Sequence, residues 1–136
     1  MADKRVLVVD DEPDIRLMLR LLIEAQEGYV VEEAVDGVQA LARLRTQHYD
    51  LMFLDLLMPD IDGREVLDRL PPELKTTMPI VVLTALNEDN SVMHGYEQGA
   101  TLYLTKPFAN DAVIDVLRYF TADLSEAERA AIEARL

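Results

Sequence analysis

The chain has 136 residues, half of them hydrophobic, no cysteine, and 26 acidic against 13 basic side chains, for a net charge of −13. That length suits one globular domain burying roughly two-thirds of its unfolded surface, and the missing thiols exclude disulfides, zinc–thiolate sites and thiol catalysis. The acidity argues against direct nucleic-acid binding by this chain, and no apolar run approaches the roughly 18 residues of a membrane span or reads as a signal peptide, so a cytoplasmic protein with no membrane contact is expected.

In chain order, Val6-Leu7-Val8-Val9 is a short β-branched-rich run that predicts a strand buried on both faces. Pro13 then suits the first turn of a helix whose apolar residues Ile15, Met18, Leu19 and Leu22 recur at i, i+3, i+4 and i+7. Tyr29 to Ala34, after Gly28, is a weaker strand, followed by a second helix with Val38, Leu41 and Ala42 behind Asp36. Leu51-Met52-Phe53-Leu54 and Ile80-Val81-Val82-Leu83 are the third and fourth strands, each followed by a less regular helical pattern, near Gly63 to Leu70 and Glu88 to Gln98. Thr101 to Thr105, after Gly99, makes a fifth strand, and Val113, Val116, Leu117 and Phe120 mark one face of a fifth helix.

Regular strand–helix alternation with short connections predicts a doubly wound α/β domain, since right-handed crossovers place helices on both faces of a parallel sheet. The main domain is expected over residues 4–121. In the remainder, 122–136, Ser125 and Glu128 are spaced as a capping box, with Ala131, Ile132 and Leu136 available for packing. That segment reads equally as an added helix or as the start of a linker.

In open parallel sheets ligands bind outside the carboxyl ends of the strands. The first strand runs into Asp10 and Asp11, the third into Asp55, the fourth into Thr84 and the fifth into Lys106. Each residue alone has an ordinary explanation, as a cap, a strand end or a solvated charge. Their joint occurrence at one end of four strands points to a site. Two carboxylates about 4 Å apart repel by roughly 4 kcal/mol at an effective dielectric near 20, so a positive partner is required. Lys106 supplies one charge, and a hard divalent cation, magnesium, would supply the rest. A carboxylate beside such an ion can act as the nucleophile in phosphoryl transfer, and Asp55 is the best placed.

These pieces, Val8-Val9-Asp10-Asp11-Glu12-Pro13, Leu54-Asp55-Leu56-Leu57-Met58-Pro59-Asp60-Ile61-Asp62-Gly63, Val82-Leu83-Thr84-Ala85 and Tyr103-Leu104-Thr105-Lys106-Pro107-Phe108, resemble the receiver domains of bacterial two-component response regulators over about residues 4 to 120. The resemblance implies a five-stranded, flavodoxin-like sheet of order 2-1-3-4-5 and a phosphoryl group accepted by Asp55 from a sensor histidine kinase or phosphotransfer protein. It implies magnesium held directly by Asp11, Asp55 and the Leu57 backbone carbonyl, with Asp10 acting through water. Lys106 and the Thr84 hydroxyl would bind phosphoryl oxygens, Tyr103 would turn inward as the switch residue, and the Lys106-Pro107 bond would be cis. It also implies a candidate homodimer surface of helix 4, strand 5 and helix 5, although Val92, Tyr96, Asp115 and Arg118 spell out no definite pattern.

Such a domain is no enzyme toward external substrates; it catalyses only its own phosphorylation and dephosphorylation. Leu57 and Leu86 stand where the family varies widely, and two leucines near the line of water attack are expected to prolong the phosphorylated form. His48 and His94 lie away from the strand ends and are expected to carry no role. Two alternatives compete. A haloacid-dehalogenase-type phosphohydrolase would need a second acid two residues after the nucleophile, where Leu57 stands, and a silent interaction module would have no need of the full set of five polar residues.

Overall fold

The computed structural model describes residues 3–85 and 99–136. Five strands, β1 (Lys4–Val9), β2 (Tyr29–Ala34), β3 (Leu51–Asp55), β4 (Ile80–Thr84) and β5 (Leu102–Thr105), form one parallel sheet in the order β2-β1-β3-β4-β5, the order the resemblance implies. The described helices are α1 (Pro13–Glu24), α2 (Gly37–Thr46), α3 (Gly63–Arg69), α4 (Pro72–Thr77), α5 (Asn110–Thr121) and α6 (Glu126–Glu133). The helical pattern expected near Glu88 to Gln98 lies outside the described residues. None of the described helices is long and apolar enough to cross a membrane.

Successive strand residues point to opposite faces, so each apolar run feeds two cores. Leu7, Val9, Met52, Leu54, Ile80 and Val82 meet α2 and α3, while Val6, Val8, Leu51, Phe53, Val81 and Leu83 meet α1 and α5. Every residue of β3 and β4 is buried, which is why these strands read as continuous hydrophobic runs rather than alternating ones. Each fully buried aliphatic or phenyl side chain here contributes about 1.5–3 kcal/mol.

Helix starts follow local chemistry. Asp36 accepts from the Gln39 backbone N–H at 2.8 Å to begin α2, and Asp62 accepts from that of Glu65 at 3.1 Å to begin α3. Ser125 and Glu128 cap α6 reciprocally, as their spacing predicts.

Two expectations need correction. The buried stripe of α2 is Gly37, Ala40, Leu41 and Leu44, whereas Val38 and Ala42 face solvent. The helix is oriented by the close approach of Gly37 to the loop after β3, where an added Cβ would lie 2.3 Å from the Ile61 carbonyl oxygen. A small residue thus occupies the inward position and leaves the larger Val38 outside. The short α4, absent from the expected elements, begins at Pro72 and buries none of its residues fully, so no apolar period announces it.

Candidate functional site

The carboxyl end of β1 passes straight into the acids. Asp10 is fully buried, its backbone N–H bonded to the Ala34 carbonyl at 3.2 Å and its own carbonyl accepting from Arg16 at 2.8 Å. Its side-chain Oδ1 accepts the Glu12 N–H at 2.9 Å, which turns the chain toward α1. Asp55 ends β3 at 4% exposure, and the following backbone curls over it, the Leu57 N–H reaching Asp55 Oδ1 at 3.4 Å. Gly63 holds this loop down: its N–H donates to the Leu56 carbonyl at 3.0 Å, and a Cβ there would lie 2.3 Å from the Asp55 carbonyl oxygen.

Thr84, buried at the end of β4, accepts the Lys106 N–H on its backbone carbonyl at 2.7 Å, which fixes the end of β5 beside it. The Lys106-Pro107 bond is cis, as expected. From that position the Lys106 ammonium lies 2.9 Å from Asp10 Oδ2, 3.3 Å from Glu12 Oε1 and 3.5 Å from Asp55 Oδ1. Tyr103 is half-buried on β5 and packs against the core on the α2–α3 side of the sheet.

Carboxylate oxygens of Asp10, Asp11, Glu12 and Asp55 all lie within 4.8 Å of one another. Burial first, and then the charge of Asp10, push the Asp55 carboxyl up to about 7 against the pull of Lys106. Burial acts to lower the Lys106 ammonium, but its hydrogen bond to Asp10 and the charges of Asp55 and Asp10 outweigh that and raise it. One ammonium among four carboxylates leaves a local surplus of negative charge, and the donor set is all oxygen. That chemistry fits a hard divalent cation such as magnesium.

The geometry therefore brings Asp10, Asp11, Asp55 and Lys106 together and sets Thr84 and the Leu57 backbone at their border. Glu12, to which neither the strand-end pattern nor the family resemblance assigns a role, joins both the acid cluster and the Lys106 ion pairs. Its signal was its place as the third consecutive acid after β1. His48 is exposed, 3.7 Å from Asp50 and before β3 begins, at the other end of the strands from the acids. Leu86, Val92, His94 and Tyr96 lie outside the described residues.

The family model for the response regulator receiver domain matches residues 6–118. The chain is 42% identical over 112 residues to the transcriptional regulatory protein ResD of Bacillus subtilis, covering 82% of this chain and 45% of ResD. It is 42% identical over 107 residues to the alkaline phosphatase synthesis transcriptional regulatory protein PhoP of the same species, covering 79% of this chain and 44% of PhoP. It thus spans less than half the length of either regulator. Among solved structures, the chemotaxis protein CheY4 of Vibrio cholerae is similar, with a TM-score of 0.79 and 34% identity over 88% of this chain and 99% of CheY4.

Proposed function

Because this chain belongs to the response regulator receiver domain family of two-component systems, we propose that it is a switch set by a phosphoryl group on Asp55, in a magnesium-dependent reaction with a sensor histidine kinase or phosphotransfer protein as donor. The observation that carries this reading is the buried Asp55 carboxylate, held among Asp10, Asp11 and Glu12 with the Lys106 ammonium 3.5 Å away.

Asp11, Asp55 and the Leu57 carbonyl would hold the magnesium ion directly and Asp10 through water. When bound, the ion offsets the surplus negative charge and leaves open positions for phosphoryl oxygens. A carboxylate oxygen of Asp55 attacks phosphorus, the bond from phosphorus to the donor nitrogen breaks, and its electron pair leaves with the donor. The attack needs Asp55 ionised, and Lys106 favours that form. Lys106 then binds a phosphoryl oxygen, moving from its closer contact with Asp10 toward Asp55.

The Thr84 hydroxyl binds a second phosphoryl oxygen, and Tyr103 turns inward. A hydrogen bond to a charged group contributes about 1.5–3 kcal/mol, whereas moving a population from 1:99 to 99:1 takes about 5.5. Thr84 therefore shares the differential affinity with Lys106 and the ion. The names of the relatives support an output in transcriptional control, since ResD and PhoP are named as transcriptional regulators, and a chain of net charge −13 would act on a partner domain or a second copy rather than on DNA itself.

The test is incubation with magnesium and a small phosphodonor, followed by intact mass, with Asp55→Ala alongside. A persistent adduct that disappears in the variant is the expected result. Catalytic consumption of general phosphate esters would favour a hydrolase, a reading already weakened by Leu57 at the position of its second acid. No adduct with any donor would favour a silent interaction module.

A further inference from the structure

The residues after Thr121 lie beyond the family match, yet they are bound to the domain at several points. Ile132 of α6 is buried, at 1% exposure. Arg135 donates two hydrogen bonds to the Asp115 carboxylate, at 2.8 and 2.9 Å, and holds that carboxyl below its ordinary value. Arg118 pairs with Glu128 at 2.9 Å, the Tyr119 hydroxyl donates to Glu133 at 2.6 Å, and the Arg129 guanidinium lies 4.8 Å from the centre of the Tyr119 ring. Asp115, Arg118 and Tyr119 fall at i, i+3 and i+4, so these contacts take up one face of α5. Beyond the helix, Arg135 and Leu136 line a cavity of ≈ 290 Å³ together with α5 and with Leu102, Tyr103 and Leu104 of β5.

This docking is light. An eight-residue helix does not persist alone in water. Its attachment is one buried side chain, the Tyr119 contacts and two ion pairs, of which the exposed Arg118–Glu128 pair contributes little, so the doubly bonded Arg135–Asp115 pair is the main clasp. Its seat also includes a part of the site machinery. β5 carries Tyr103, ends just before Lys106, and among the described residues is an edge strand bonded only to β4. A movement of β5 toward a phosphoryl group on Asp55 therefore shifts the wall against which Arg135 and Leu136 rest.

We propose that α6 is a latch, docked across α5 and the β5 edge in the resting protein and released when Asp55 is phosphorylated, so that the α5 face beneath it opens only in the activated form. The coupling rests on the switch reading above; the docking itself does not. Release of a short, weakly held segment is an order–disorder switch, and its coupling to a distant site is reciprocal.

The test uses the full chain with magnesium and a small phosphodonor, with intact mass reporting the adduct and amide hydrogen exchange reporting residues 126–134. Exchange there should accelerate at least about fivefold once the adduct is present, the low end of allosteric coupling. Arg135→Glu should give fast exchange without any phosphodonor, and the swapped pair Asp115→Arg with Arg135→Asp should restore protection. Unchanged or slower exchange in protein shown by mass to carry the adduct overturns the coupling. Protection in Arg135→Glu equal to that of the unaltered chain overturns the clasp. A missing adduct overturns the switch reading, and the coupling with it, a failure that the mass alone distinguishes from the other two.

Discussion

Asp55 is withdrawn from water among other acids, and its titration follows from that. The unfolded chain ionises this group near 3.8, whereas in the fold burial and then Asp10 push it up to about 7. A folded-state value above the unfolded one means that the stability tied to the protonated group is fully present below the unfolded value and is lost as pH rises through the folded one. Without divalent cations, Asp55→Asn, which cannot ionise, should therefore unfold at higher denaturant than the unaltered chain at about pH 8, and the gap should close toward about pH 4. A gap that does not change with pH would contradict this. Leu57, half-exposed beside the carboxylate, belongs to the same scale. Replacing it with Asn should accelerate loss of phosphate from Asp55, because a polar side chain can orient the attacking water that a leucine cannot; an unchanged rate in a time course of adduct mass would sink the idea.

Elements differ in how openly the sequence announces them. β1, β3 and β4 hold continuous apolar runs, and β2, although weaker and carrying Glu32 and Glu33, keeps its predicted ends at Tyr29 and Ala34. The grouping of the candidate site residues was legible for a related reason: a parallel sheet collects whatever follows each strand at one edge. Contacts decided by close packing were not legible. Tyr49 reads as part of a loop, yet it is buried, and its hydroxyl donates to Glu32 at 2.7 Å, so that burial and this partner push its pKa up to about 12. The orientation of α2 likewise depends on one glycine meeting a carbonyl. Gly37→Ala should cost about 1–3 kcal/mol, the usual penalty for overpacking, read as a lower denaturation midpoint. A midpoint equal to that of the unaltered chain would show that the loop around Ile61 yields freely.

At the scale of the whole molecule, the acid cluster is a charge problem that the fold tolerates and that a bound divalent cation would relieve. Magnesium that binds the folded state alone stabilises it, by about 2.7 kcal/mol at a hundredfold excess over its Kd. The unaltered chain should therefore melt at a higher temperature as magnesium is added, while Asp11→Asn should lose that shift and keep the metal-free melting temperature. A shift that survives the substitution would remove Asp11 from the ligand set.

The strand order divides this group of residues by rigidity. Asp10 follows and Asp55 ends an interior strand paired on both sides, whereas Lys106 follows a strand that, among the described residues, is paired on one side only. Damage along that border therefore misplaces the Lys106 ammonium before it misplaces Asp55, the proposed acceptor. Variation in β5 should produce sluggish receivers, and variation at the ends of β1 and β3 should produce deaf ones, so the outer strand is where the speed of such a protein can be adjusted at the least risk to its hearing.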